Sequence, residues 1–270
     1  MTIDDVSRRG LFLLGCGKMG SAMLSGWLGN GMPKSSVHVI DPFPSDWLKD
    51  QDVNLNLRVP DAPAVALLAV KPQMMGDALP SVAALGGGET LILSVAAGTP
   101  ISVYEATFGE NTPIIRAMPN TPAAIGKGIT AIVGNQAATE RHLQLAKTLL
   151  SAIGQVVRLD HEDQMDAVTG VSGSGPAYVF HMIETLAAAG EAQGLAPDLA
   201  MILAKATVAG AGALAEVADE TPSQLRVNVT SPAGTTEAGL KILMNPSDGL
   251  PELMKETVKA ASDRSRELRG

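Results

Sequence analysis

One cysteine in 270 residues, Cys16, leaves nothing for an intramolecular disulfide and no thiolate set for a metal, so no metal site is expected. Set between two glycines, it reads as a small residue in a turn. Aromatic residues make up only 3% of the chain, so the core has to be built from Ala, Leu, Val, Ile and Met. No cluster of lysines and arginines is long enough for an electrostatic footprint on nucleic acid, and the formal charge of -8 points the other way. An anionic ligand would therefore have to be held by backbone N–H groups and helix ends. The most membrane-like stretch, residues 199–218, is interrupted by Lys205 and Glu216, and its many Gly and Ala residues suit close helix packing better than lipid. No transmembrane segment is expected.

What is present is an ordinary globular composition, 46% hydrophobic and 18% charged, in a chain long enough for one large or two modest domains. Short aliphatic strands are predicted at residues 10–15, 37–40, 65–70, 90–95, 114–118, 130–133 and 156–159. Helices are predicted over 18–30, 73–85 and 137–152, which together make the alternation of a βαβ sheet. After Asp163 the strand patterns stop. Ala-rich helices follow at 176–194, 197–219, 222–229, 234–244 and 250–267. The fold class read from this is α/β: an N-terminal Rossmann-type dinucleotide-binding domain, residues 1–163, followed by an all-helical C-terminal domain, residues 164–270.

The segment "SRRGLFLLGCGKMG", residues 7–20, supports two readings. Twin arginines before Leu-Phe-Leu-Leu resemble an export signal, with a lipoprotein-like box ending at Cys16. Gly15-Cys16-Gly17-Lys18-Met19-Gly20 also fits G-x-G-x-x-G. A secretory signal needs an apolar region of about 7–15 residues; Leu11–Leu14 supplies four before Gly15, and Asp4 and Asp5 weaken the positive start. Cleavage before Cys16 would remove the first strand and split the turn, so the segment is expected to be kept and the protein to be cytoplasmic.

The motif by itself is a weak signal. Its setting is more specific: a strand before, a helix after, another strand, and then Asp41. Gly15 permits the tight turn, Gly17 lets the backbone approach a pyrophosphate, and Gly20 lets the helix pack on its strand. Free N–H groups and the helix dipole would hold the phosphates. Asp41 alone reads as a turn cap before Pro42; in this constellation it accepts hydrogen bonds from the adenosine ribose and opposes a 2′-phosphate, which favours NADH over NADPH.

Further blocks follow in order. "LLAVKP" ends a strand at Lys71, which reads equally as a solvated strand-end charge or a direct cofactor contact. "SVAAGTPI" places small residues after the next strand. "MPNTP" holds Asn120 between two prolines, and "DAVTGVSGSGPAY" runs flexible glycines into Pro176 at a helix start. "TSPAGTTEAGL" crowds hydroxyl and small residues before a helix, so amides of Ala233 to Thr236 could wrap a carboxylate. It could also be only a helix capped by Ser231 or Thr235.

Together these blocks, which span nearly the whole chain, resemble the pyrroline-5-carboxylate reductase family. The resemblance implies reduction of the cyclic imine 1-pyrroline-5-carboxylate to L-proline with NADH or NADPH. It also implies a helical dimerisation domain, hence a homodimer or larger homo-oligomer. Carried over by position, the cofactor residues are Gly15, Gly17, Lys18, Met19, Gly20, Asp41, Ala69, Val70, Lys71, Pro72, Ala96, Ala97, Gly98 and Asn120. The substrate residues are Val229, Ser231, Gly234, Thr235 and Thr236, with the Thr236 hydroxyl approaching the ring nitrogen as the catalytic group. Two positions depart from the family pattern: Ala233 stands where many members have glycine, and "VIDPFPS" lacks the polar or basic pair common in members that favour NADPH.

The four histidines, His38, His142, His161 and His181, lie outside every motif. A ketone reductase usually needs such an acid to protonate the forming alkoxide. An imine nitrogen can be protonated before hydride arrives, so the missing motif histidine favours an imine. The alternatives are a β-hydroxyacid dehydrogenase or related reductase, which usually relies on a lysine in the first helix of the helical domain, and a non-catalytic nucleotide-binding regulatory protein. No lysine occurs between Lys147 and Lys205.

Overall fold

In the computed structural model, which describes residues 3–268, the aliphatic runs form eight strands: β1 Leu11–Leu14, β2 Val37–Ile40, β3 Asn54–Leu55, β4 Val65–Leu68, β5 Leu91–Ser94, β6 Ile114–Met118, β7 Gly128–Gly134 and β8 Gly154–Arg158. They make one sheet in the order β3-β2-β1-β4-β5-β6-β7-β8. The pairs from β3 through β6 are parallel, β7 runs antiparallel to β6, and β8 is parallel to β7. The first six strands thus follow Rossmann order, whose ligand crevice opens where the order reverses, beyond the carboxyl ends of β1 and β4.

β1, β4 and β5 are buried at every position, as a parallel sheet covered on both faces requires. Alternation along β1 feeds two cores: Leu11 and Leu13 join the cluster with Met23, Leu24 and Trp27, while Phe12 and Leu14 join that of Tyr104 and Phe108. Trp27 is locked further by its indole N–H donating to the Leu149 carbonyl at 2.9 Å.

Several elements differ from the sequence expectation. Ile3–Arg9 is a helix that is not among the predicted elements, and the twin arginines end it. Arg9 donates to the carbonyls of Ala62, Pro63 and Glu89 at 3.3, 3.2 and 2.7 Å, which ties that helix to the amino end of the sheet. β3 has two residues, too few to show alternation. The helix predicted over 73–85 breaks into Pro72–Met74, Met75–Ala78 and Leu79–Leu85, the first and last of 3₁₀ type. Pro80 lacks the N–H that a continuous α-helix needs there. Ile101–Phe108 is a further helix after the "AAG" turn.

Contacts divide the chain into two units, one formed by residues up to Gly173 together with those from Ala261 on, the other by Ser174–Ala260. In the first, the Ser265 hydroxyl donates to the buried Asp166 carboxylate at 2.8 Å, fastening the chain's last turns. The second is helical. Gly175–Ala192 and Pro197–Val217 meet through Ala187, Ala200 and Ala204, small residues that allow close approach. Pro197–Val217 is long and apolar enough to cross a bilayer by length and composition, and only 11% of its most apolar window is buried within the chain. Leu199, Ile202, Leu203, Leu214 and Val217 are all exposed along it.

Candidate active site

The glycine-rich turn sits at the carboxyl end of β1, at the reversal of strand order. Gly15 takes φ +85°, and its N–H donates to the Ile40 carbonyl of β2 at 2.8 Å. On the other side the Ala69 N–H donates to Leu14 at 2.8 Å, so the turn is stitched to both neighbouring strands. A Cβ on Gly20 would lie 2.6 Å from the Gly15 carbonyl oxygen, so only glycine lets the helix Lys18–Gly29 start this close. A Cβ on Gly17 would meet nothing within 4 Å: this glycine faces open space. The N–H groups of Lys18, Met19 and Gly20 find no acceptor among the described residues, and no side chain caps the helix. Open room in front of free donors at a positive helix end is what a pyrophosphate fits.

Asp41 follows β2 and is half-buried. Its Oδ2 accepts from the Cys16 N–H at 2.7 Å and its Oδ1 from the Phe43 N–H at 2.8 Å. Two oxygens with two lone pairs each leave room for two further donors, as a ribose diol would supply. Behind it, Asn56 accepts from the Asp41 N–H at 2.9 Å and donates its own N–H to Val39 at 2.8 Å, in the left-handed region at φ +53°. Sequence reasoning missed Asn56. The available signal was its residue type, since asparagine tolerates this conformation better than most residues.

Cys16 is buried and its thiol is pushed up to about 12, first by burial and then by the Asp41 charge. It stays protonated at neutral pH and serves as a small turn residue. Of the histidines, His142 and His161 close capping boxes, and His181 lies 3.2 Å from Glu184 on the surface. His38 sits in β2, held below the usual imidazole range by burial.

Beyond β4, Ala69 and Val70 are half-buried and Lys71 and Pro72 are exposed. Beyond β5, Ala96 is buried with its N–H on the Ser94 hydroxyl at 3.3 Å, Ala97 is exposed, and Gly98 turns at φ +75°. Asn120 clamps two motifs of the same unit: its Oδ1 accepts from the Ile129 N–H at 2.9 Å and its Nδ2 donates to Ser172 at 3.1 Å. Beneath lies a feature the sequence did not announce. Arg116 of β6 is 1% exposed, and its guanidinium donates to Glu162 at 2.7 Å, while the same carboxylate oxygen accepts from the Ile101 N–H at 3.0 Å.

In the second unit, Ser231, Pro232, Ala233 and Gly234 form a turn closed by the Gly234 N–H on the Ser231 carbonyl at 3.0 Å. Ala233, third in that turn, has φ +56°, a conformation that costs an L-residue about 1–2 kcal/mol. Its N–H donates to the Glu237 carboxylate at 2.5 Å. Two of the four amides the sequence assigned to a carboxylate are therefore engaged internally. Those of Thr235 and Thr236, at the start of the helix Thr235–Leu243, find no acceptor among the described residues. Val229, Ser231, Thr235 and Thr236 are exposed around them.

A Rossmann-order sheet with an open glycine-lined helix start, a carboxylate beside it and a separate helical unit carrying free helix-end amides has the architecture of a dinucleotide-binding oxidoreductase. Comparison with known proteins narrows this. A family model for pyrroline-5-carboxylate reductase dimerisation matches residues 162–268, and one for coenzyme F420-dependent NADP oxidoreductase matches 11–98. The chain is 37% identical to the pyrroline-5-carboxylate reductase of Pseudomonas aeruginosa, over 94% of this chain and 95% of that protein. It is 46% identical to that of Synechocystis over 76% and 74%. Among solved structures, the pyrroline-5-carboxylate reductase of Coxiella burnetii superposes with a TM-score of 0.91 at 31% identity, covering 97% of this chain and 99% of that one. The Plasmodium falciparum pyrroline carboxylate reductase with NADP bound gives 0.82 at 27%, covering 98% and 99%. The chain belongs to the pyrroline-5-carboxylate reductase family. It is an NAD(P)-dependent oxidoreductase that reduces 1-pyrroline-5-carboxylate to L-proline.

Proposed function

We propose that the reduction is divided between the two units, the first holding the cofactor and the second the substrate. In the first, Gly15, Gly17 and Gly20 let the backbone approach the pyrophosphate, and the amides of Lys18, Met19 and Gly20 hold it. Asp41, backed by Asn56, receives the adenosine ribose. Ala69, Val70, Lys71 and Pro72 after β4, Ala96, Ala97 and Gly98 after β5, and Asn120 line the rest of the cofactor crevice. When bound, the reduced nicotinamide supplies the hydride. A carboxylate at Asp41 disfavours a 2′-phosphate, so NADH is the preferred cofactor.

In the second unit, the loop from Val229 to Thr236 takes the substrate carboxylate, with Ser231, Gly234 and Thr235 around it and the Thr236 hydroxyl aligning the imine nitrogen. One observation carries this: Thr235 and Thr236 are exposed, and their amides and the Thr236 hydroxyl have no partner among the described residues. An imine protonated before hydride arrives needs orientation more than a strong acid. The exposed apolar helix Pro197–Val217 is covered by a second copy of the chain, and the homo-oligomer works in the cytoplasm.

The test is oxidation of NADH and NADPH with 1-pyrroline-5-carboxylate by the wild type, Thr236→Ala and Asp41→Ser. Thr236→Ala is expected to lower kcat roughly a hundredfold with NADH affinity unchanged, and Asp41→Ser to shift kcat/KM toward NADPH. Full turnover by Thr236→Ala would remove the loop assignment, and a strong native preference for NADPH would remove the reading of Asp41.

A further inference from the structure

The substrate loop carries a conformation that its own residue does not favour. Among the described residues only Asp52, Asn56 and Ala233 are non-glycine residues with positive φ. Asp and Asn tolerate this region through their short polar side chains; alanine has no such means. The turn from Ser231 to Gly234, with Pro232 second and Ala233 third, is of the kind that favours glycine at the third position. Something outside the turn must hold Ala233 there.

That group is Glu237. It is the third residue of the helix Thr235–Leu243, and its side chain reaches back over the helix start so that Oε2 accepts the Ala233 N–H at 2.5 Å. The bond is charge-assisted and lies at the positive end of the helix, both of which strengthen it. The other oxygen, Oε1, lies 3.4 Å from the Lys241 ammonium one turn on. Lys241 thus orients the carboxylate and offsets its charge beside amides that must attract an anion. With Ala233 fixed, the amides of Thr235 and Thr236 are presented together.

We propose that Glu237 is a positioning residue for substrate, holding the carboxylate-binding loop in its working shape in this chain because position 233 is alanine. The inference rests on the reading of this loop as the carboxylate site. Glu237 touches neither substrate nor cofactor; it acts through the Ala233 amide.

The experiment measures KM for 1-pyrroline-5-carboxylate, kcat and the NADH dissociation constant for the full-length enzyme and four variants. E237A is expected to raise the substrate KM about tenfold, with kcat within about twofold and NADH binding unchanged, as loss of a ground-state positioning contact predicts. E237Q keeps an acceptor for the Ala233 N–H and should stay within about twofold of wild type. A233G relieves the backbone, so E237A should raise KM much less in the A233G background than in the wild type, a non-additive coupling. An unchanged KM in E237A, a loss in E237Q equal to that in E237A, or no rescue by glycine would each overturn the proposal. If E237A folds poorly, the comparisons of E237Q with wild type and of A233G with A233G/E237A carry the test. Inactive Thr236→Ala with unaffected E237A would remove Glu237's role alone; active Thr236→Ala would remove the loop reading beneath it.

Discussion

Two glycines three residues apart in the cofactor turn should respond to the same substitution in different ways. At Gly20 the added methyl would stand 2.6 Å from the Gly15 carbonyl oxygen, well inside contact distance. Gly15 cannot retreat, because it is at φ +85° with Ala69 and Val70 packed against it. The helix Lys18–Gly29 must shift instead, and such overpacking costs about 1–3 kcal/mol. For a domain of this size, that lowers Tm by roughly 2–4 °C per kcal/mol. At Gly17, φ is -72° and the methyl meets nothing. The loss from alanine at an N-cap and the gain from a stiffer unfolded chain are each about 1 kcal/mol or less and oppose each other, so stability should hold within about 0.5 kcal/mol. The methyl would, however, fill the open space in front of the helix amides, where we propose that the pyrophosphate binds. Losing one or two charge-assisted hydrogen bonds is worth about 2–3 kcal/mol, roughly thirtyfold to two-hundredfold in NADH affinity. Thermal melts and NADH fluorescence titrations on the two variants decide. Gly17→Ala should melt like wild type and bind NADH poorly; Gly20→Ala should lose both. A Gly17→Ala protein with normal NADH affinity, or with a Tm lowered as far as in Gly20→Ala, would refute this account of the turn.

Removing the Glu162 carboxylate strands the Arg116 charge, which is 1% exposed, and the Ile101 amide. Glu162→Ala should therefore lose about 3–5 kcal/mol in denaturant unfolding, and Arg116→Met/Glu162→Gln much less than that, because neither charge is left alone. The Cys16 thiol, pushed up to about 12, should not react with a thiol reagent at pH 8 in the native protein and should titrate as one equivalent after unfolding. Rapid modification of native enzyme would contradict its burial.

Much of this protein was legible along the chain because the relevant forces are local. Aliphatic runs buried on both faces marked β1, β4 and β5, and their alternation with helices announced a parallel sheet. The spacing of Gly15, Gly17, Gly20 and Asp41 followed from a strand, a turn and a helix that can close only in one way. The hydroxyl-rich block before Thr235 showed a helix start with more polar groups than a cap requires. What stayed hidden depended on residues brought together from afar or on a backbone state with no composition of its own. Asn56 meets Asp41 only because the two-residue β3 pairs with β2. Arg116 and Glu162, widely separated in sequence, became a pair of a buried guanidinium and a half-buried carboxylate only when the first unit closed around β6. The positive φ of Ala233 is invisible in the letters "SPAG", since alanine favours a helix elsewhere. The sequence by itself determined the class of fold, the glycine-rich turn after the first strand and the helix start at Thr235, because glycine sterics and hydrophobic period act over a few residues. Tertiary structure alone decided which amides remain free to bind, since a donor is available only when no neighbour has taken it.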